Sequence, residues 1–345
     1  MQFIPRALVK WYTLNHRDLP WRHTHSAYHI WLSEIIMQQT QVIQGTPYYL
    51  KFINSFEDIC ALAKAPEDQI MSMWQGLGYY SRARNLHKTA KLICADHKGV
   101  FPSDYKQILK LPGIGPYTAA AISTFAFKQP KPLVDGNVYR LFSRLFGINT
   151  PINTSTALKE FSALTSACLD KLNTSDACTF NQAIMEFGAL VCKPKTPECL
   201  SCVLKTHCFA FENGLQNSFP VKLKAKAKVN RYFHYFLIQN SSQLLWIEKR
   251  GKGDIWNGLY QLPMLEQQHV SEEDCTAFFG SDVEFLKSSE PVKHVLSHQN
   301  IFAQFHHIQL SETRLNTYTC ISSADWTSYG FPQLIVRFLE KEFDF

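Results

Sequence analysis

Hydrophobic and polar positions repeat with a helical period from residue 27 to about residue 210. In WLSEIIMQQTQVIQGTPYY the apolar side chains form one stripe, whereas Glu34, Gln38 and Gln41 fall on another face. Further helices are predicted in APEDQIMSMWQG, SRARNLHKTAKLICADH, SDYKQILKL, PYTAAAISTFAF, NVYRLFSRLFG and TSTALKEFSALTSACLDKL, which short turns containing Gly or Pro connect. This part of the chain is therefore predicted to be all-α.

The pattern changes after the Lys-rich segment VKLKAKAKVN, which has little to bury and is predicted to be an interdomain linker. Strands rich in aromatic and β-branched residues are predicted in YFHYFLIQNSSQLLWIEKR, HVLSHQNIFAQFHHIQL and NTYTCIS, and a helix in FPQLIVRFLEKEF. We expect a multidomain chain: a helical region at 1–216, a linker at 217–230 and an α+β domain at 231–345.

Composition and charge constrain the partners only weakly. Lys and Arg number 35 against 29 Asp and Glu, a balance that suits a polyanionic partner and equally suits a basic enzyme without one. The amino-terminal segment lacks the apolar core of a secretory signal, and no apolar run approaches the length of a membrane span. We therefore expect a soluble cytoplasmic protein with no membrane association.

Four of the ten cysteines lie in one short segment, CKPKTPECLSCVLKTHC. These are Cys192, Cys199, Cys202 and Cys208, and four thiolates so close in sequence can bind a zinc ion or an iron–sulfur cluster. Because one compact loop carries all four, we favour a [4Fe–4S] cluster and keep zinc as the alternative. The scattered cysteines, expected to be buried thiols, are Cys60, Cys94, Cys168, Cys178, Cys275 and Cys320.

The segment LPGIGPYTAAAI predicts a hairpin between two helices. Gly113 and Gly115 permit a tight turn, and Pro116 suits the first turn of the following helix. The outward-pointing amides at that helix start can bind a phosphate of a nucleic-acid backbone without reading its sequence. A glycine turn that only connects two helices is the alternative.

Asp135 in VDGNVYRLFSRLFG has two possible roles. It precedes a predicted helix, where Asp is a favoured amino-terminal cap. Its carboxylate could also take part in catalysis together with Glu34, Tyr117 and Asn137. Considered alone, Asp135 is best explained as a helix cap. Considered together with Glu34, Tyr117 and Asn137, it is better explained as a catalytic group.

That pattern resembles the helix–hairpin–helix DNA glycosylases and, among them, the MutY-type adenine DNA glycosylases. The matching motifs are LPWR, WLSEIIMQQTQV, GLGYYSRARNLH, LPGIGPYTA, VDGNVYR, NQAIMEFGALVC, the cysteine loop, WNGLYQLP and LSH. The resemblance implies a base-excision repair enzyme that flips out and hydrolyses adenine mispaired with 8-oxoguanine or guanine in duplex DNA. It also implies a monomer with a six-helix module at about 27–133 and a cluster module formed by 1–26 and 134–216.

The resemblance assigns roles to individual residues. Glu34 matches the general acid and Asp135 the anion that stabilises an oxocarbenium ion, a division of labour that glycoside hydrolysis also uses. Tyr117 and Asn137 match groups that surround these carboxylates, and Tyr117 stands where bifunctional relatives carry a lysine, which implies a monofunctional enzyme. The residues that match substrate-binding positions are Trp21, Arg22, Gln39, Thr40, Leu77, Tyr79, Gly113 and Gly115. Gln39 and Tyr79 match side chains that enter the base stack on the 8-oxoguanine side, and ordinary packing is the alternative for these two.

The carboxy-terminal part resembles the Nudix fold. It lacks the acidic catalytic run after WNGLYQLPMLE, so we expect no metal-dependent hydrolysis there. Ser297 and His298 match a loop that contacts 8-oxoguanine, although Leu296 replaces the usual aromatic residue.

Two other functions remain open at this stage. One is an endonuclease III-like glycosylase for oxidised pyrimidines, which the missing lysine and the second domain disfavour. The other is a non-catalytic iron–sulfur protein that binds DNA, for which Glu34 and Asp135 would be dispensable.

Overall fold

The structure is a computed structural model that describes residues 3–224, 227–239, 244–310, 315 and 317–343. The chain divides into two compact units. Residues 1–63 and 88–224 form the first unit, and residues 64–87 join residues 225–345 in the second. No sequence pattern indicated that 64–87 would group with the carboxy-terminal residues. The domain boundaries at 216 and 231 stay a prediction.

The region before the linker is helical, as predicted. Its helices are α1 Phe3–Asn15, α2 Ala27–Ile36, α3 Val42–Ser55, α4 Ile59–Lys64, α5 Glu67–Met73, α6 Ser81–His97, α7 Tyr105–Leu109, α8 Pro116–Phe125, α9 Gly136–Phe146, α10 Ser155–Leu169, α11 Thr174–Leu190 and α12 Phe209–Glu212. Polar side chains stabilise several starts by accepting a backbone N–H, namely Ser26, Asp104, Asp135, Thr154 and Asn173. Nowhere in the described ranges is a helix long and apolar enough to cross a membrane.

Helices α1, α9, α10 and α11 share one hydrophobic core. Its completely buried side chains include Leu8, Phe142, Phe161, Phe180 and Phe187. Gly188 lets α11 approach α9 closely, because a Cβ atom at this position would lie 2.4 Å from the Cβ atom of Asn137. The start of α9, where the candidate catalytic residues Asp135 and Asn137 lie, is thus fixed by packing on α11.

Among its described residues after 225, the second unit has two sheets and two further α-helices. The elements are β1 Val229–Gln239, β2 Leu244–Lys249, β3 Tyr260–Gln261, β4 Met264–Glu266, α13 Glu272–Phe279, β5 Glu284–Ser288, β6 Val292–Val295, β7 Gln299–Gln309, β8 Thr319–Ser322 and α14 Gln333–Glu342. This mixture confirms the predicted α+β class.

The central feature of this unit is a parallel pair. β1 and β7 pair in register over eleven residues, from Val229 opposite Gln299 to Gln239 opposite Gln309. β4 lies beside β1, and β5 and β6 pair with β7, all antiparallel; β2 pairs with β3 and β8 in a second sheet. Helix α14 covers one face of the first sheet, where the rings of Phe305 and Phe338 stack with centroids 4.0 Å apart.

The scattered cysteines differ from the expectation of buried thiols. Cys60 and Cys94 form a disulfide, so that prediction was wrong for both. Cys320 is an exposed thiol on β8 and Cys178 is half-buried, whereas Cys168 and Cys275 are buried as expected. Spacing along the chain gave no indication of which two helices would bring cysteines together.

Candidate active site

Glu34 lies on α2, whose start is capped by Ser26. Burial raises the pKa of the Glu34 carboxyl from 4.5 to about 7; the negative charge of Asp135 adds to the rise, and a hydrogen bond with Tyr117 opposes it. A carboxyl with this pKa is still protonated in part at neutral pH. It can therefore act as a general acid.

Asp135 caps α9. Its Oδ1 accepts hydrogen bonds from the backbone N–H groups of Asn137 and Val138, both at 2.9 Å, and its Oδ2 accepts one from Asn137 Nδ2 at 2.7 Å. Burial raises the pKa of Asp135, and these three donors together with the charge of Arg140 oppose the rise. The cap that the sequence predicted is thus formed, and it supplies donors that stabilise an anion.

Tyr117, near the start of α8, lies close to both carboxyl groups. Its hydroxyl forms a hydrogen bond with Glu34 and lies 3.2 Å from Met185 Sδ. Burial and the charges of Glu34 and Asp135 raise the pKa of Tyr117 well above 10, which keeps the phenol neutral. The structure therefore brings together the four residues that the sequence predicted to be catalytic.

Arg140, one turn into α9, is a site residue that sequence analysis missed. It is buried, and its Nη2 donates to Asn137 Oδ1 at 2.7 Å and to the Gly188 carbonyl at 2.6 Å. Its Nε donates to the Cys192 carbonyl at 2.6 Å. The only sequence signal was its place within VDGNVYR, where a helical arginine usually lies at the surface.

The four predicted ligand cysteines line one cavity between the cysteine loop and α9. Arg144 Nη1 donates to Cys192 Sγ at 3.3 Å and to the Lys193 carbonyl at 2.7 Å, which ties the start of the loop to α9. Burial, followed by the charges of the neighbouring thiolates, raises the pKa of Cys202 to about 11. These sulfurs need a positive centre to be held as thiolates.

The described residues contain no group of three His, Cys, Asp or Glu side chains placed to bind a single metal ion. Four cysteines that line one cavity can share one cofactor. Thiolate sulfurs bind both iron–sulfur clusters and zinc, so this arrangement is compatible with the favoured cluster and with the zinc alternative.

The predicted hairpin lies between α7 and α8. Gly113 adopts the left-handed conformation with φ of 73°, and Gly115 is the extended residue before Pro116, which begins α8. Gly115 and Pro116 are exposed, and nothing lies within 4 Å of the position of a Cβ at Gly115. The amides at the start of α8 can therefore be approached by an anion such as a phosphate.

Trp21 and Arg22 make internal contacts in the structure. Arg22 and Arg17 both pair with the buried Glu186, at 2.8 and 2.7 Å. Burial opposes ionisation of Glu186, but the hydrogen bonds from the two arginines lower its pKa to about 2. Trp21 packs edge-on against Tyr49. A contact of Trp21 or Arg22 with adenine stays a prediction.

Two residues predicted to enter the base stack share an uncommon backbone conformation. Gln39 and Tyr79 are exposed and left-handed, with φ of 54° and 46°. Such conformations are costly for residues other than glycine and concentrate at functional sites. Of the other two predicted contacts, Thr40 donates to the Gln38 carbonyl at 3.2 Å, and the side chain of Leu77 is buried.

Within the second unit, Tyr79 and Ser297 meet. Their hydroxyl oxygens are 2.6 Å apart at the edge of a cleft of about 570 Å³. His298 also lines this cleft, and Leu296 packs on the hydrophobic core despite being smaller than the expected aromatic residue. Sequence analysis missed Trp256, which lines the cleft with a left-handed backbone of φ 59°.

Comparisons with known proteins agree with this geometry. The family described as HhH-GPD superfamily base excision DNA repair protein matches residues 32–165, and a NUDIX domain matches residues 234–341. The chain is 32% identical over 334 residues to an adenine DNA glycosylase of Buchnera aphidicola subsp. Baizongia pistaciae, which covers 96% of this chain and 92% of that protein.

A second relative is an adenine DNA glycosylase of Buchnera aphidicola subsp. Schizaphis graminum. It is 36% identical over 259 residues, which are 75% of this chain and 74% of the relative. Among solved structures, a thermostable thymine-DNA glycosylase matches with a TM-score of 0.57 at 29% identity, over 61% of this chain and 96% of that one.

Proposed function

The chain belongs to the adenine DNA glycosylases of base-excision repair, and on that premise we propose that it removes adenine opposite 8-oxoguanine or guanine in duplex DNA. In this proposal Glu34 is the general acid, and Asp135 is the anion that faces the sugar. The protein acts as a monomer on the DNA of a bacterial-type cytoplasm and nucleoid.

The observation that carries the proposal is the difference between the two carboxyl groups. Burial raises the pKa of both carboxyl groups, that of Glu34 to about 7, but Asp135 in addition accepts three hydrogen bonds and faces the charge of Arg140, which oppose its rise. Hydrolysis of a glycosidic bond needs one carboxyl group as a proton donor and one as an anion. Two carboxyl groups in different environments fit that requirement.

The reaction begins when adenine leaves the base stack and enters the site. Glu34 donates a proton to adenine N7, so that the bond between the base and the sugar breaks with neutral adenine as the leaving group. The Asp135 carboxylate then stabilises the positive charge on the sugar, or bonds to it transiently, until water adds. Tyr117 keeps Glu34 in place, and Asn137 orients Asp135.

Tyr117 also supports a monofunctional reaction. A lyase step requires an amine that forms a Schiff base with the sugar, and a tyrosine supplies none. Borohydride should therefore trap little covalent enzyme–DNA complex. Efficient trapping would show that a lysine elsewhere acts as the nucleophile.

The left-handed Gln39 and Tyr79 support a role in filling the gap that the flipped adenine leaves. The Ser297 hydroxyl, held by Tyr79, and His298 are proposed to distinguish 8-oxoguanine from guanine, which differ at C8 and N7. Each good contact to a base contributes about 1–3 kcal/mol to discrimination. Trp21, Arg22, Thr40, Leu77 and the hairpin glycines complete the proposed substrate contacts.

Cys192, Cys199, Cys202 and Cys208 are proposed to hold a [4Fe–4S] cluster. When bound, the cluster supplies the positive centre that keeps the four sulfurs as thiolates and cross-links the loop. The protein purified without metal chelators should be brown and contain iron and inorganic sulfide. A colourless, active protein with one zinc per chain would exclude the cluster.

Single-turnover base release from a set of duplexes tests the proposal. We expect adenine to be released fastest opposite 8-oxoguanine, more slowly opposite guanine, and not at all opposite thymine. Release of oxidised pyrimidines would favour the endonuclease III-like alternative instead. Tight mismatch binding without release of any base would favour a non-catalytic protein.

A further inference from the structure

A disulfide joins two helices outside the candidate active site. Cys60 on α4 and Cys94 on α6 have Cα atoms 5.7 Å apart, and both residues are half-buried. Gly99 in the turn after α6 packs on the bond, because a Cβ atom there would lie 2.9 Å from Cys60 Sγ. The bond is therefore covered on one side without being sealed from solvent.

The disulfide flanks a segment of chain that belongs to the other unit. Both cysteines belong to the first unit, yet the segment between them includes residues 64–87, which group with the second unit. The disulfide therefore closes a loop of chain that contains residues 64–87, and both of its cysteines belong to the first unit. The segment 64–87 is called the excursion below. The cysteines are 34 positions apart in sequence.

Polar contacts hold the excursion in the second unit, and its apolar side chains Ile70, Met71 and Trp74 are buried. Asp68 pairs with Lys249 at 2.5 Å in an exposed ion pair, and the Tyr80 hydroxyl donates to the Phe331 carbonyl at 3.2 Å. Ser72 Oγ donates to the Thr327 carbonyl at 3.1 Å. The excursion also carries the exposed, left-handed Tyr79. Exposed ion pairs of this kind stabilise a protein only slightly.

We propose that Cys60 and Cys94 are a reversible redox modification site that controls the local stability of residues 64–87. In a reducing compartment, a disulfide between partly accessible cysteines is usually transient and redox-sensing rather than permanent. The inference concerns the excursion itself and does not depend on the proposed mispair preference.

The co-reactant is a low-molecular-weight disulfide such as glutathione disulfide. One cysteine thiolate attacks a glutathione sulfur and forms a mixed disulfide, which releases one glutathione thiolate. The second cysteine thiolate attacks the mixed disulfide and releases the second. The two cysteines lose two electrons and two protons, and one glutathione disulfide becomes two glutathione thiols.

The physical effect follows from loop closure. A bond across 34 positions removes open conformations of the excursion and of the unfolded chain. The oxidised protein should therefore have the higher unfolding midpoint, by roughly 5–10 °C for a unit of this size. Amide hydrogens in 64–87 should exchange at least tenfold more slowly in the oxidised form.

The test uses the full-length protein with its cofactor, equilibrated without oxygen in glutathione buffers of graded thiol-to-disulfide ratio. Alkylation followed by mass spectrometry should show Cys60 and Cys94 losing reactivity together in one two-electron transition. Hydrogen exchange of 64–87 should slow across the same transition. If the pair stays reduced in every buffer, or exchange in 64–87 is equal in both forms, the proposal is wrong.

Variants separate this bond from other thiol effects. In C60S and in C94S, the amide hydrogens of residues 64–87 should exchange as fast as in the reduced wild type, in both reducing and oxidising buffers. C320S, which removes an exposed thiol without a disulfide partner among the described residues, should behave like the wild type. Where a serine variant fails to fold, the wild-type redox titration alone decides the question.

Discussion

Arg140 donates a hydrogen bond from Nε to the carbonyl oxygen of Cys192 at 2.6 Å. Another nitrogen of the same guanidinium donates to Asn137, which in turn donates to Asp135 Oδ2. One buried side chain thus connects the first cysteine of the loop with the proposed catalytic carboxylate. The geometry of the loop and the geometry of Asp135 are therefore coupled.

We expect R140Q to slow adenine release by roughly 10- to 100-fold, because a neutral amide cannot supply all four hydrogen bonds of the guanidinium or its charge. The measurement is single-turnover kinetics together with iron content per chain. R6Q, which changes an exposed arginine on α1, is the matched control and should keep the wild-type rate. Wild-type kinetics in R140Q would show that the coupling has no catalytic role.

E34Q should lower the single-turnover rate by about 10²- to 10⁴-fold while duplex binding is retained, because an amide cannot donate the proton that adenine N7 requires. Gel-shift binding and base release should be measured on the same duplex. E57Q, at an exposed glutamate, controls for the loss of a negative charge. Near-normal release by E34Q would remove Glu34 from the mechanism.

The rate of adenine release should fall as pH rises through about 7. The raised pKa of Glu34 means that the active, protonated form predominates below that pH and becomes scarce above it. Above the pKa the rate should fall about tenfold for each pH unit. A rate that stays constant between pH 7 and pH 9 would be incompatible with Glu34 as the acid.

Y79F should reduce the preference for 8-oxoguanine over guanine by roughly 3- to 10-fold, the effect of losing one hydrogen bond of about 1 kcal/mol. S297A should lose at least as much, because it also removes the hydroxyl proposed to contact 8-oxoguanine, and the double variant should be little worse than S297A, since Tyr79 acts through Ser297. Y329F, a tyrosine outside the cleft, is the control. Fully additive losses would mean that Tyr79 and Ser297 act independently.

E186Q should destabilise the protein by about 3–5 kcal/mol, since it leaves two arginines without their buried partner. The difference in unfolding free energy between the wild type and E186Q should be largest above pH 4.5. It should shrink as pH falls towards about 2, because the pKa of Glu186 is lowered in the folded state and its carboxylate becomes protonated there. Denaturant unfolding at several pH values measures it. E198Q, in an exposed ion pair, should change stability by less than about 1 kcal/mol.

Local physical rules predicted local structure well. The periodic apolar pattern identified most of the helices, and the residue type at Asp135 identified its cap. The pattern gave no separate helix at α1, α4 or α11, and the stretch WLSEIIMQQTQVIQGTPYY, which it indicated as one helix, forms parts of two, α2 and α3. The compact cysteine spacing identified the four residues that line one cavity. Each of these features depends on neighbours within a few turns of chain, which the sequence displays directly.

Features that depend on tertiary packing were missed. In the sequence, Arg140 and Gly188 look like an ordinary helical arginine and an ordinary helical glycine. Their roles depend on the packing of α9 against α11, which the sequence does not display. The disulfide required knowledge of which two helices meet at Cys60 and Cys94. The grouping of Glu34 with Asp135 came from the family resemblance, since no local pattern relates residues so distant in sequence.

The parallel pairing of β1 and β7 has a mechanical consequence. The predicted linker runs into β1, which begins at Val229, before the predicted end of the linker at 230. The backbone N–H of Val229 donates to the His298 carbonyl in the loop that precedes β7. Tension applied through the linker pulls along β1 and is resisted by eleven residues of evenly spaced ladder bonds loaded in shear. Those bonds must yield together rather than one by one, so a taut linker would leave the loop at Ser297 and His298 undistorted.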